Sequence, residues 1–276
     1  MDNIIVLIAI GFLVGTLGTL IGAGGGFILV PFMLLAFPTF SPDVVTAISI
    51  AVVAANATSG STAYMRAKRV DYKAGIIFAI CTIPGSILGV ITTKYIPRGA
   101  FDLLFGVILI VLAVFLFFRG KKKAVTKETV AHPSRTHQRL VDKWGEEYDY
   151  SYNLKLGMFI SVLVGYFSPL LGIGGGIIHV PAMIEWLNFP VHLATATSHF
   201  ILAIMATVSV IVHTVSGTYN DPLVLKMTLS LIVGVIGGAQ LGAFLSRRIQ
   251  GKFIVKALAI SLAIVGIRIL TMGMSG

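Results

Sequence analysis

The chain has 276 residues, of which 56% are hydrophobic and only 12% are charged, and its mean hydropathy is +0.94. A soluble domain carries about 25% charged residues, so most of this chain must face something other than water. The net charge of +10 does not indicate a nucleic-acid partner, because the basic residues are grouped at the ends of apolar runs, as in the cytoplasmic loops of membrane proteins. The single cysteine, Cys81, excludes a disulfide framework or a paired-cysteine redox site.

The longest apolar runs predict helices that cross a bilayer. A hydrocarbon core of about 30 Å needs about 20 apolar residues per helix. Long apolar runs occupy residues 76–91, 101–118, 201–212 and 223–245, so we predict an all-α, multi-pass protein of the cell membrane. The apolar stretch 4–20 lacks a basic segment and a convincing cleavage site, and we expect a retained helix rather than a signal peptide.

One glycine-rich motif occurs twice in the chain. Residues 15–33 read GTLGTLIGAGGGFILVPFM, residues 165–183 read GYFSPLLGIGGGIIHVPAM, and their shared glycines, valine, proline and methionine align at a constant offset of 150. Weaker matches follow in the same order, including Thr46–Ser49 against Thr195–Ser198. Self-similarity at a fixed offset is the signature of a repeat. We therefore predict two homologous repeats of four apolar segments each.

The duplication divides the chain into a first membrane repeat (1–118), a charged cytoplasmic linker (119–152) and a second membrane repeat (153–276). The linker holds 13 of the 32 charged residues. It cannot lie in hydrocarbon, where each charge costs at least ~2.5 kcal/mol. We expect a short helix after Ser134, and the linker is either a simple connector or a regulatory segment.

The first segment of each repeat is predicted to be a broken helix. Residues 4–37 and 156–187 each exceed 30 residues, whereas one straight crossing needs about 20. Both contain three successive glycines followed by a proline, and these residues weaken or interrupt helices. We expect the breaks at Gly22–Gly26 and Gly172–Gly176.

Two such breaks predict an anion site near the bilayer midplane. Irregular backbone at membrane depth is tolerated only where it is buried in protein or lines a wet cavity. A helix that restarts there points unpaired N–H groups and the positive end of its dipole at that cavity. The expected binding groups are the backbone at Gly24, Gly25, Gly26, Phe27, Gly174, Gly175, Gly176 and Ile177, the hydroxyls of Thr46, Ser49, Thr195 and Ser198, and the side chain of His179.

Other interpretations of these residues stay open. Glycine-rich segments in membrane helices often serve only for close packing, and the four hydroxyls could bond only to backbone carbonyls. His179 and His199 are candidates for carrying a proton in a coupled cycle, or they are neutral histidines hydrogen-bonded inside the bundle. His213 and Glu185 lie near segment ends, and we expect them to be interfacial.

The duplicated glycine signature, the four-plus-four apolar segments and the basic linker resemble the sulfite exporter TauE/SafE family over essentially the whole chain. The resemblance implies a bacterial permease that exports sulfite or a related organosulfonate. The alternative is a non-transporting membrane scaffold or assembly subunit. Neither an HExxH nor a GxSxG motif occurs in the sequence, so we expect no enzyme activity. We expect no cofactor or metal, and the oligomeric state is open.

The distribution of basic residues favours inverted repeats. The loop 65–73 carries four basic residues, whereas its counterpart 214–222 carries none. With inverted halves, 65–73, 119–152 and 246–252 all lie in the cytoplasm, as basic loops tend to do. Parallel halves would place the basic residues after Ser246 outside.

Overall fold

The structure, a computed structural model, describes residues 3–118, 135–246, 259 and 262–271. Within these residues six helices are long and apolar enough to cross a membrane, and the predicted all-α, multi-pass architecture is confirmed. The helices are α1 (Ile4–Ile21), α2 (Gly26–Ala36), α3 (Pro42–Arg66), α4 (Tyr72–Thr93), α5 (Arg98–Phe118), α6 (Leu154–Leu171), α7 (Gly176–Glu185), α8 (Val191–Val215), α9 (Pro222–Leu245) and α10 (Leu262–Thr271), with a short 3₁₀ turn at Thr218–Asn220 and strands β1 (Thr136–Val141) and β2 (Glu147–Tyr152).

Both predicted helix breaks are present. Helix α1 stops just before Gly22 and α6 just before Gly172, and short connections lead from them to α2 and α7. Gly22 and Gly24 have φ of 83° and 80°, and Gly172 and Gly174 have φ of 67° and 71°. Glycine adopts this left-handed conformation without the steric cost that a Cβ atom imposes. The repeated glycines therefore dictate where the helices end.

The two breaks cross each other and touch through backbone atoms. A Cβ atom added to Gly26 would overlap the Gly172 carbonyl oxygen, and one added to Gly176 would overlap the Gly22 carbonyl oxygen. Val53, near the middle of α3, lies against both breaks. The crossing is therefore at the centre of the bundle, where the main hydrophobic core contains Val52 and residues of both breaks.

Helix α1 packs along α9 through glycines. A Cβ atom on Gly11 would overlap the Leu231 carbonyl, and one on Gly15 would lie 2.6 Å from the Val235 carbonyl oxygen. The contacting residue numbers rise together on both helices, so α1 and α9 run parallel.

Helix α6 packs along α4 in the same manner. Gly165 lies against the Thr82 backbone, and Thr93 Oγ1 donates a hydrogen bond of 3.0 Å to the Leu170 carbonyl. The residue numbers again rise together, so α4 and α6 also run parallel.

The central helices α3 and α8 run antiparallel. Asp43 at the start of α3 contacts His213 at the end of α8, whereas Tyr64 at the end of α3 stacks edge-on with His199 in the first half of α8. Short connections join α3 to α4 and α8 to α9, so all corresponding long helices of the two halves point in opposite directions. This arrangement agrees with inverted repeats, which stay a prediction until the membrane sides of the loops are measured.

The second part of the charged linker forms a β-hairpin, so the prediction of a helix after Ser134 is wrong. β1 and β2 pair antiparallel, and Tyr148, Tyr150 and Tyr152 alternate inward onto a hydrophobic cluster that includes Phe189. Alternating burial is the pattern of a half-buried strand. Residues 119–134 of the linker and the basic residues at 247–252 lie outside the described residues.

A buried ion pair fixes the hairpin to the α3–α4 connection. Arg69 Nη2 lies 2.8 Å from Asp142 Oδ2, the Lys143 N–H donates to the Ala67 carbonyl, and the Tyr150 hydroxyl donates to Asp71. Burial opposes the charge of Asp142, but hydrogen bonds from Arg69 and from backbone N–H groups lower the pKa of this carboxyl. The hairpin therefore covers one end of the bundle, here called the hairpin end.

Labelling of equivalent helix ends tests the inverted arrangement. Arg66 and Val215 are the exposed last residues of α3 and α8. In a Cys81→Ser background, we expect Val215→Cys to react with a membrane-impermeant maleimide in intact cells and Arg66→Cys to react only after permeabilisation. If both positions label from the same side, the halves are parallel and the prediction is wrong.

The backbone contact between the breaks predicts a large effect of one methyl group. Gly176→Ala places its Cβ atom on the Gly22 carbonyl, and overpacking of this kind costs about 1–3 kcal/mol. We expect a lower unfolding temperature in detergent. Gly237→Ala in α9 is the matched control, because its Cβ atom would meet Phe12 at 3.6 Å, an ordinary contact. Equal unfolding temperatures for the two variants would contradict the close crossing.

Candidate functional site

The connections of the two breaks carry backbone N–H groups without acceptors. In the first break, Ala23 and Gly24 donate to the Gly18 carbonyl, but no bond from the N–H of Gly25, Gly26 or Phe27 occurs within the described residues. In the second break, no bond from the consecutive backbone N–H groups of Gly174 to Ile177 occurs within the described residues. Both predicted sets of backbone donors are therefore present, although they are separated by the crossing.

No space remains between the breaks themselves, because their backbones touch. The anion site predicted to lie between them is closed in this conformation, and the predicted residues fall into two groups, one beside each break. The two groups differ in whether their polar side chains are already hydrogen-bonded.

Beside the second break lies a narrow cleft with unpaired polar groups. Among the described residues, the buried hydroxyls of Ser198, on the cleft, and of Ser168, close to Gly175, have no hydrogen-bond partner. His179 Nε2 lies 3.2 Å from Ser161 Oγ. The cleft is too narrow to admit a water molecule. The cleft is lined by Val164, Gly175, Gly176, His179, Ser198, Ile201, Leu202 and Met205.

Ser168 was missed by the sequence predictions. It lies on α6 and would be 3.4 Å from a Cβ atom added to Gly175, which places its hydroxyl against the second break. The repeat alignment contains the signal, since Ser168 stands where the first half has Gly18, just as His179 stands where it has Leu29.

Three polar side chains beside the first break form a bonded network. Thr19 Oγ1 donates to Asn56 Oδ1 at 2.7 Å, Asn56 Nδ2 donates to the Gly24 carbonyl at 2.8 Å, and the Tyr64 hydroxyl donates to the Thr19 carbonyl at 3.0 Å. A network with its partners in place fixes the first break rigidly to α3. It leaves none of these three donors for a ligand.

Three of the four predicted hydroxyl donors bond to backbone carbonyls. Ser49 Oγ donates to the Gly172 carbonyl at 2.6 Å, Thr46 Oγ1 to the Pro42 carbonyl and Thr195 Oγ1 to the Val191 carbonyl. Of the four, only Ser198 keeps a free hydroxyl in this conformation.

The buried histidines differ in their surroundings. His199 lies beside the Gly22 carbonyl without reaching hydrogen-bond geometry, so neither of its ring nitrogens has a partner. His213 lies in the last turn of α8 with its side chain fully buried against the start of α3, and its interfacial position stays a prediction. Glu185 is half-buried at the end of α7, beside the exposed Trp186.

A wider groove of about 590 Å³ runs between α3, α8 and α9. Gln240 Nε2 donates to Ser59 across it, while Thr62 and Thr207 donate to carbonyls of their own helices. The groove is lined by apolar and hydroxyl side chains without charge, and Ser59, Thr62, Thr207 and Gln240 already donate to protein oxygens. The cleft at the second break is therefore the stronger candidate for binding an anion.

Comparison with known proteins connects this architecture to transport. Residues 7–269 match the family described as Sulfite exporter TauE/SafE. The chain is 34% identical to the "Probable membrane transporter protein YunE" of Bacillus subtilis, with 98% of each chain covered. It is 28% identical to a probable membrane transporter protein of Methanocaldococcus jannaschii, over 95% of this chain and 93% of the relative.

A probable membrane transporter protein of Xylella fastidiosa is 26% identical over 90% of this chain and 87% of its own length. No solved structure matches the chain significantly. The family and these relatives are named as membrane transporters and not as enzymes. The length of the family match, together with the multi-pass helical structure, leads to one conclusion: the chain belongs to the TauE/SafE sulfite exporter family and is a membrane transporter of that type.

Proposed function

We propose that this transporter exports a small oxyanion, such as sulfite or an organosulfonate, across the bacterial inner membrane. The observation that carries the proposal is the set of unpaired donors at the second break. The hydroxyls of Ser168 and Ser198 lie beside the unbonded N–H groups from Gly174 to Ile177, with His179 on the same cleft. The proposed site therefore consists of residues beside the second break, and the residues beside the first break serve as scaffold.

Unpaired buried donors are costly in the absence of a ligand. Leaving a buried donor without a partner costs about 1–3 kcal/mol, whereas a hydrogen bond to a charged group contributes about 1.5–3 kcal/mol. Three or four such bonds and the N-terminal end of α7 would offset much of an anion's dehydration. No lysine or arginine lines the cleft, so we expect weak selectivity among small oxyanions.

Export requires the cleft to open. The cleft is too narrow for water in this conformation, and the crossing of the breaks separates the two ends of the bundle. Transporters built from inverted repeats alternate access by moving one repeat against the other around a central site. We infer that the second break moves relative to α6 and α8, and that the linker and the hairpin end face the cytoplasm, where basic loops are retained.

A non-transporting scaffold explains these features less well. A scaffold gains stability when buried side-chain donors are paired, as Thr19 and Asn56 are beside the first break. The unpaired Ser168 and Ser198 would then be a cost without a function.

Anion flux into proteoliposomes tests both the transport and its site. We expect the wild-type protein to carry sulfite and small sulfonates. Ser168→Ala removes one donor, which corresponds to an apparent affinity about 10–100-fold weaker. Gly175→Ala keeps an allowed backbone, with φ of −56°, but its Cβ atom would lie 2.5 Å from Val164 and fill the cleft, and we expect flux to be lost.

Gly237→Ala is again the control and should transport like the wild type. Normal flux in both Ser168→Ala and Gly175→Ala would show that the site lies elsewhere. A wild-type preference for a cation or a neutral sugar would overturn the anion assignment.

A further inference from the structure

A second unsatisfied polar cluster lies at the opposite end of the bundle from the hairpin, one turn of α3 before Thr46, which packs against Gly172 of the second break. His213 on α8 is fully buried, and its Nδ1 atom lies 3.6 Å from Asp43 Oδ1 on α3. Neither His213 ring nitrogen nor this carboxylate oxygen has a hydrogen-bond partner. Asp43 is the second residue of the 25-residue helix α3, whose last residue lies about 35 Å further along the helix axis, at the hairpin end.

The groups around the pair are few. Thr218 Oγ1 donates to the other Asp43 oxygen at 3.1 Å, and the Tyr219 hydroxyl donates to the Ala47 carbonyl at 2.7 Å. The Tyr219 ring stands edge-on to His213. Lys94, the exposed residue that follows α4, is the only basic residue described that acts electrostatically on both members of the pair.

One proton decides the net charge of this buried pair. With His213 protonated, an imidazolium faces a carboxylate and the pair is neutral overall. With His213 neutral, the carboxylate is left with a net negative charge, which is costly to bury. The present gap of 3.6 Å is slightly longer than a hydrogen bond, so a small side-chain shift would close it on protonation. The Thr218–Asn220 turn holds Asp43 through Thr218, and its movement would open the pair to water.

We propose that Asp43 and His213 form a proton-binding site, and that its occupancy makes transport depend on the pH at this end of the protein. The proton resides on His213 Nδ1, between the ring and Asp43, and it is exchanged with water when the Thr218–Asn220 turn moves away. The proposal rests on the proposed anion transport. With the hairpin end in the cytoplasm, the proton comes from the external side.

The test measures sulfite flux in oriented proteoliposomes while only the pH on the Asp43 side is varied. Burial moves the titration of a histidine well below its ordinary range near pH 6.5, so the scan extends to acid pH, and we expect wild-type flux to change at least about fivefold between about pH 4 and 8. His213→Gln and Asp43→Asn should each reduce that change to less than about twofold. Lys94→Gln should retain the pH dependence, because Lys94 does not hold the proton.

A second measurement uses only the wild-type protein, so it does not depend on whether the variants fold. Hydrogen–deuterium exchange of residues 216–221 in the wild type, corrected for the intrinsic pH effect, should be faster at the higher pH. Unchanged exchange, or pH-dependent flux that survives both His213→Gln and Asp43→Asn, overturns the proton site while leaving transport intact. Loss of the pH dependence in Lys94→Gln alone would also overturn it. Absence of any anion flux in the wild type would instead contradict the proposed function.

Discussion

The close contact of two backbone segments at the centre of the bundle is the constraint on which the rest of the structure depends. Gly26 and Gly176 each approach a carbonyl of the opposite break so closely that a methyl group has no space. This approach requires two interrupted helices, and the left-handed glycines that begin each connection provide the interruption. The first turns of α2 and α7 consequently begin at the crossing, where their N–H groups find no helical partner.

The two halves use this shared backbone differently. Thr19 and Asn56 satisfy the polar groups beside the first break and hold it to α3. In the second half, Ser168 and His179 stand where the first half has a glycine and a leucine, and the buried hydroxyls of Ser168 and Ser198 have no partner among the described residues. The first break is thus held by side-chain hydrogen bonds that the second break lacks. This difference is the one on which the proposed anion site depends.

The two ends of the bundle show a similar contrast between satisfied and unsatisfied charge. At the hairpin end, Arg69 and Asp142 form a short ion pair whose carboxylate also accepts two backbone N–H groups. At the other end, Asp43 and His213 are near each other but not bonded. A fully bonded buried pair holds one geometry, because separating it exposes two unpaired charges. An incompletely bonded pair can exist in two arrangements of similar energy, and the end that carries it is better suited to movement.

The sequence by itself determined the membrane class, the two helix breaks and the family, because apolar length and glycine conformation are local properties of the chain. It could not determine which hydroxyls remain free: Ser49 donates to a carbonyl in the opposite half, whereas Ser198 has no partner. The hairpin was missed because its charged residues outweighed the alternating tyrosines. Only the tertiary structure decided that Asp43 meets His213, since helix packing brings together residues from opposite halves of the chain.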